Sequence, residues 1–325
     1  MKTPDSHNFN AHSNPAVSVV IPCWNAEQTI QATLASLRDQ TFADFEVVLV
    51  DDGSTDGTLE ALERWAAADA RFRVFQVANG GPSQARNHAA LVLARGDIVA
   101  FLDADDLWVS TKLERVVGAL QADPGLCGVY GRTAFFRDNP MTARTISQVL
   151  DHPVRPADLL RGNPTCTMSN VVVRAEAFRS TGGFDPSIVH CEDIEWLVRL
   201  TAGGGRFEAI NETLVFYRSS DAGLSLNLDS MHAGWRHAAA SAERAGFGLT
   251  PSALRAAEAV HLRLLARRAL RGQAPRFSAL GLAVRGALRS PAGFFGDPVR
   301  GLLTLLAACA QPLLPANVRR LALQF

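Results

Sequence analysis

The stretch FLDADDLW, residues 101–108, sets Asp103, Asp105 and Asp106 within four positions directly after an apolar run. Three carboxylates so close repel one another in a dry pocket, so their chemistry is one of two kinds. Either they hold a hard cation such as Mg²⁺ or Mn²⁺ together with waters and substrate phosphates, or they are a solvated turn whose side chains cap the next helix. A second acidic stretch, DDGSTDGT at 51–58, offers Asp51 and Asp52 as acceptors, or else a turn eased by Gly53 with Ser54 to Asp56 capping a helix. A third, CEDIEWLVRL at 191–200, opens with Glu192 and Asp193, a favourable sign at a helix N-terminus whatever else they do.

These residues need elements to position them. VSVVI (17–21), EVVLV (46–50), RVFQV (73–77) and IVAFL (98–102) are nearly continuous apolar or β-branched runs, which predicts strands covered on both faces. Pro22 should stop the first ladder, and Asn25 should cap the helix behind it. Ile30, Leu34 and Leu37 mark that helix, Leu59, Leu62 and Trp65 a second, and residues 85–95 a third stopped by Gly96. Alternating strand and helix predict an α/β fold with a mostly parallel, doubly wound sheet, which binds ligands outside the carboxyl ends of its strands. Pro22 to Asn25, Asp51 to Ser54, Asn79 to Gly81 and Asp103 to Asp106 each follow a strand, so they should converge on one rim. Beyond residue 125 the rhythm changes: strand-like segments fall at 125–137, 167–173 and 212–218, with a helix from 191, and past 228 only helical patterns remain.

A chain of 325 residues, 47% hydrophobic and 20% charged, has room for more than one unit and a real core. Lys plus Arg and Asp plus Glu both total 32, so there is no global basic field of the kind that draws a protein to nucleic acid. The balance hides an asymmetry. Residues 251–325 hold eleven Arg, no Lys and two acids, a net +9 that leaves −9 on the first 250 residues. Five scattered cysteines without CxxC spacing argue against a disulfide framework or a zinc site and fit a reducing cytosol. The first 16 residues lack the apolar core of a signal peptide and read as a flexible arm. No stretch reaches the roughly 18 uninterrupted apolar residues of a spanning helix.

VSVVIPCWNAEQTIQATLASLRDQTFADFEVVLVDDGSTDGT, GPSQARNHAA, FLDADDLW, GGFD, CEDIEWLVRL and a final YR occur here in one order over residues 17–220. The ordered set resembles the family 2 glycosyltransferases of bacterial polysaccharide and glycolipid synthesis, enzymes of the GT-A fold. The resemblance implies a GT-A domain at 17–227, with a nucleotide-sugar half at 17–125 and an acceptor half at 126–227, followed by a basic, mostly helical region at 228–325. It implies inverting transfer from a nucleotide sugar, a UDP-sugar first, to a hydroxyl of a saccharide or lipid-linked saccharide. Pro22, Trp24, Asp51 and Asp52 then match the nucleotide site, Trp24 lying against the base or packed under the loop, and Asp52 accepting from the base. Arg86 faces the diphosphate or is a surface cation at a helix start. Asp105 is the first metal ligand, Asp106 shares the metal or the ribose, and Asp103 holds the ribose or a bridging water. Asp193 becomes the general base that takes the acceptor proton, with Glu192 capping or touching the acceptor and Trp196 offering a face to a sugar or sitting in the core. The His that often follows YR is replaced by Ser219 and Ser220, with Ser225 as the later hydroxyl, which shifts metal binding toward Asp105 and the diphosphate.

Two other functions fit parts of the pattern. A non-catalytic relative could bind nucleotide sugar as a scaffold. Nucleotidyl transfer to a sugar phosphate needs a glycine-rich basic loop after the first strand, which PCWNAEQ is not. In the tail, Arg263, Arg267 and Arg271 fall four apart beside Leu264, Leu265 and Leu270. That pattern fits a cytoplasmic protein lying peripherally on an anionic membrane face, and equally a helix packed on the catalytic domain with its arginines paired to the acidic body.

Overall fold

The computed structural model describes residues 14–219, 227–247, 249–271 and 274–314; most of the expected arm, Ser220 and Ser225 lie outside them. Strands β1 (Val17–Cys23), β2 (Phe45–Asp51), β3 (Phe72–Gln76) and β4 (Ile98–Phe101) run parallel in the order β3-β2-β1-β4. Helices α1 (Ile30–Arg38), α2 (Thr58–Ala68) and α3 (Pro82–Asn87), the last continued by a π-helical turn at His88–Leu93, make the connections. Because side chains alternate along a strand, Val20, Val48, Val50, Val99 and Phe101 enter one core, while Val19, Ile21, Val47, Leu49 and Ala100 enter the other, with Ile30, Leu34 and Leu37 of α1. Burial on both faces is why these runs carry no polar alternation.

Pro22 does not end β1: it pairs with Val50, and Cys23 pairs with Asp51. Val20 accepts from Leu102 N, so alternate residues Val20 and Pro22 face β4, which has already ended there. The missing N–H therefore costs no rung. Asn25 does not cap α1, which starts at Ile30. Its side chain accepts from Thr55 N (2.8 Å) and clamps the β1 loop to the β2 loop.

After β4 the chain adds β5 (Leu107–Trp108), α4 (Lys112–Ala122), β6 (Leu126–Phe136), β7 (Thr145–Ile146), α5 (Pro156–Arg161), β8 (Val172–Arg174), α6 (Ala175–Ser180), α7 (Glu192–Ala202) and β9 (Arg206–Arg218). The sheet continues β4-β8-β6-β9-β5, with β8 antiparallel to both neighbours, so it is mixed rather than wholly parallel. Residues 175–180 form a short helix directly after β8.

Among the described residues five α-helices follow: α8 (Leu228–Arg244), α9 (Pro251–Arg271), α10 (Ser278–Arg289), α11 (Pro291–Phe294) and α12 (Pro298–Ala310). Trp235, Ala238 and Ala242 of α8 and Ala257 of α9 join the core beneath the sheet, and Trp235 Nε1 donates to Leu160 O (2.8 Å). The rest of α9 packs with α10, α11 and α12 in a separate apolar cluster. Leu262, Leu265 and Ala266 of α9 are buried, and Arg263 is buried on the Phe294 carbonyl; Arg289 pairs with Glu258 and Arg300 with Asp297, inside the tail itself. Exposed apolar residues fall on α9 at Leu264, on α10, and on α12 at Val299, Leu302, Leu303 and Leu306. Among the described residues no helix is long and apolar enough to cross a membrane.

Gly234 seats α8 on the turn before α7, where an added Cβ would run into the His190 carbonyl oxygen. Gly234→Ala should destabilise the protein by about 1–3 kcal/mol, because a fixed backbone cannot give way and the gain in helix propensity is only about 1 kcal/mol. Urea denaturation checks this: an unchanged midpoint would mean that α8 slides freely on that turn.

Candidate functional site

Four strand ends, those of β1, β2, β3 and β4, meet at one rim. At the end of β2, Asp51 is fully buried. One carboxylate oxygen accepts weakly from Ser54 N (3.4 Å), and the other is buried with no partner among the described residues. Beside it burial, then the Asp51 charge, push the Cys23 thiol up, so that cysteine stays protonated. Asp52 is turned to the third loop, its two oxygens accepting from Gly80 N (2.8 Å) and Gly81 N (2.9 Å), while its carbonyl accepts from Asn79 Nδ2 (2.8 Å). Gly53 is required there: its φ is +69°, and a Cβ would press on Asn79 N at 3.1 Å. Trp24, just past β1 and the half-buried Pro22, is 59% exposed, which removes the reading of it as a ring packed under the loop.

The loop after β4 separates its three aspartates into different roles. Asp106 has no exposed surface. Its carboxylate accepts from Ser169 Oγ (2.5 Å), Thr167 Oγ1 (3.2 Å) and Arg218 N (2.9 Å), and burial first, then the charges of Asp105 and Asp103, push it well up. Its assignment as a metal ligand is therefore corrected: it is a buried anchor joining this loop to β9 and to the 3₁₀ turn at Met168–Asn170. Lys112, also buried, donates to Ser169 O (3.0 Å) below it. Asp105 is half-buried, and among the described residues no side-chain hydrogen bond to its carboxylate is present. Burial, then the Asp103 charge, push it up to about 6. Asp103 accepts from Arg86 Nη2 (2.6 Å) and Thr167 Oγ1 (3.2 Å).

Arg86 is no surface cation. It lies buried on α3, donating Nη2 to Asp103 and Nη1 to Glu192 (3.0 Å), with its guanidinium over the Phe184 ring. Burial disfavours its charge, but the two carboxylates more than offset this and hold it protonated. With both terminal nitrogens committed to acids, it does not present itself to a diphosphate, and that expectation is corrected too. Glu192 likewise faces Arg86 rather than an acceptor.

Asp193 sits in the first turn of α7, after Cys191 in the left-handed region (φ +60°). Asn163 Nδ2 donates to its Oδ2 at 2.6 Å, and Asn163 is fixed in turn because its Oδ1 accepts from Thr165 N (3.0 Å) and Thr165 Oγ1 (2.7 Å). Burial, then the Glu192 charge, push Asp193 up to about 7, where a carboxylate can both accept and release a proton at neutral pH. Trp196 offers nothing to a sugar. It is fully buried in a ring cluster with Phe101, Phe178 and Phe184, its Nε1 donating to Thr181 Oγ1 (2.8 Å).

The structure thus joins Asp103, Arg86 and Glu192 in one polar chain, with Asp193 next to Glu192, Asp105 adjoining, and Trp24, Asp51 and Asp52 along the same rim. Sequence reasoning missed Asn163, Thr167 and Ser169; single small polar residues in loops carry no periodic signal, and only their partners reveal them. Among the described residues no three acidic, His or Cys side chains surround a common point. The carboxylate oxygens of Asp105 suit a hard cation rather than a soft one.

The sequence profile of the family described as Glycosyl transferase family 2 matches residues 18–182. An uncharacterized glycosyltransferase, EpsJ of Bacillus subtilis, is 32% identical over 213 residues, 63% of this chain and 62% of EpsJ. The UDP-Glc:alpha-D-GlcNAc-diphosphoundecaprenol beta-1,3-glucosyltransferase WfgD of Escherichia coli is 31% identical over 131 residues, 40% of this chain and 51% of WfgD. The chain thus spans less than two thirds of the length of either relative. The mannosyltransferase PcManGT from Pyrobaculum calidifontis, solved with GDP-Man and Mn²⁺, superposes with a TM-score of 0.57 at 21% identity, over 93% of this chain and 88% of PcManGT.

Proposed function

The chain belongs to glycosyltransferase family 2 and has the GT-A fold, and from that premise we propose that it is an inverting enzyme moving a sugar from a UDP-sugar to a hydroxyl of a saccharide, lipid-linked in its natural form, during bacterial surface polysaccharide synthesis. The observation that carries this is Asp193: a half-buried carboxyl near neutral pKa, oriented by Asn163, on the same rim as Asp105 and Trp24.

The nucleotide base lies against the exposed Trp24 ring. Asp52 meets a base N–H through the lone pairs left by Gly80 and Gly81, and buried Asp51 holds the turn beneath it. Asp105 would hold Mg²⁺ or Mn²⁺, which when bound neutralises the diphosphate leaving group. Asp103 is kept in place by Arg86 and Thr167. Asp193 then takes the proton of the acceptor hydroxyl as that oxygen bonds to the anomeric carbon; the bond to the diphosphate breaks opposite, its electron pair leaving with the phosphate. One displacement, with the base across from the leaving group, inverts the anomeric centre.

Nucleotide sugars should raise the melting temperature in the presence of Mn²⁺, since a ligand at one hundred times its Kd adds about 2.7 kcal/mol. Trp24→Ala should weaken UDP binding about tenfold, as stacking a base on an aromatic ring contributes roughly 1–3 kcal/mol, and leave folding untouched because the ring is exposed. No shift with UDP- or GDP-sugars would defeat the proposal.

A further inference from the structure

α10 and α12 form a hairpin packed on α9. The turn at 290–297, which holds α11, joins the end of α10 to the start of α12. At the opposite end Arg276, just before α10, donates to the Pro312 carbonyl just after α12, so the two helices run antiparallel. Each buries its small side chains inward, Ala279 and Ala283 of α10 and Ala308 of α12 joining Ala266 and Ala269 of α9 in one cluster. The faces turned away from α9 are apolar as well. Among the described residues, eight of the fifteen exposed large apolar side chains fall within 277–313, Leu288 of α10 at 80% and Val299 of α12 at 67% exposure among them. Scattered exposed apolar residues are ordinary, but this density on one hairpin is a patch that marks an interaction surface.

Three features decide what covers it. The exposed α12 arc from Val299 through Leu302, Leu303 and Leu306 to Ala310 carries no hydroxyl, amide or charged side chain, and it takes in about 160° of the helix at 3.6 residues per turn. Protein interfaces carry about one hydrogen bond per 100–200 Å², which these side chains cannot supply, whereas hydrocarbon asks for none. Exposed arginines, secondly, stand next to exposed apolar residues: Arg276 beside Phe277, Arg285 beside Val284, Arg289 beside Leu288 and Arg300 beside Val299. That is the arrangement in which long cationic side chains stay at headgroup level while their apolar neighbours sink past them. The third feature is charge. Residues 251–325 carry a net +9, and both of their acids, Glu258 and Asp297, already face tail arginines. A second copy docked through the same face would set +9 against +9, while an anionic surface is complementary. α12 is about 20 Å long, short of the roughly 30 Å of a bilayer core, so it fits the plane of an interface and not a span.

We propose that the α10–α12 hairpin docks on an anionic lipid bilayer, its apolar face entering the boundary between headgroups and acyl chains and its flanking arginines lying at the depth of the lipid phosphates. Flotation of the full chain with vesicles of phosphatidylcholine alone, and of phosphatidylcholine and phosphatidylglycerol in equal parts, tests it. The chain should float with the anionic vesicles and bind the neutral ones at least tenfold more weakly, and the difference should shrink as added salt screens the charges. Leu302→Gln combined with Leu306→Gln should weaken binding to the anionic vesicles at least tenfold, and Val284→Gln combined with Leu288→Gln should do the same. All four side chains are exposed, so both variants should melt with the parent; if one fails to fold, the other carries the test. Arg285→Gln should cost about fivefold on the anionic vesicles and nothing on the neutral ones. No flotation of the wild type, equal binding to both kinds of vesicle, or unchanged binding in the folded double variants would each overturn the proposal. A dimer in sedimentation that Leu302→Gln with Leu306→Gln dissolves would give the face to a second copy and overturn it too. The hairpin is built from other elements than the strand rim, so a failure of UDP to bind would defeat glycosyl transfer and leave the docking to be decided by flotation.

Discussion

Asp193→Asn should lower the transfer rate by about 10²–10⁴-fold, the range that removing a positioned general base costs, and should leave nucleotide binding as it was. Asparagine keeps the shape and can still accept from Asn163, so the loss is one of proton acceptance. In the wild type the rate should climb with pH through a midpoint near 7, where the Asp193 carboxyl loses its proton; in the variant that limb should vanish. The sign for stability runs the other way. An acid whose pKa is raised from 3.8 to about 7 on folding binds its proton better in the native state. That stabilising contribution is full below the unfolded value and fades as the pH rises toward 7. At pH 8 the wild type therefore bears a half-buried negative charge that the variant lacks, and Asp193→Asn should melt no lower than the parent. A variant equally active at pH 8, or one that has lost nucleotide binding as well, would remove Asp193 from the role of base.

The rim itself was legible in the sequence for a definite reason. Four apolar runs ending in polar residues predict a parallel sheet with ligand groups at its carboxyl ends, and β1, β2, β3 and β4 place Trp24, Asp52, Gly80 and Asp105 as that rule requires. What the sequence concealed was which of two adjacent carboxylates faces outward. Asp105 and Asp106 differ by one position in a turn, and the choice is made by Arg218 on β9 and by Thr167 and Ser169, all far along the chain. Arg86 shows the same limit, since only folding brings Glu192 beside it. Helical periodicity misled in the tail for a related reason. Arg263, Arg267 and Arg271 do share a stripe, but a bundle helix is covered by several neighbours, so periodicity along α9 alone could not say that Leu265 is buried, Leu264 exposed, and most uncovered apolar residues on α10 and α12.

Arg86→Met tests whether the donor and acceptor sides share one electrostatic support. The guanidinium is buried between Asp103 and Glu192, and methionine fills similar space without the charge. Removing one partner of a buried ion pair typically costs about 3–5 kcal/mol, because the remaining charges stay desolvated and unpaired; here two carboxylates are left together. A substantial drop in melting temperature should follow. The catalytic consequence is separable from that loss. Arg86 lowers the Asp193 pKa, against the raising effects of burial and Glu192, so without it the Asp193 carboxyl should hold its proton to higher pH. The rising limb of the rate profile should then shift upward, in whatever fraction remains folded. Arg86→Lys keeps a cation but not a planar fork that can reach two acids at once, so it should restore part of the stability and only part of the limb. Should Arg86→Met lose stability with the limb still near 7, Arg86 would be holding the fold at this junction without tuning the base.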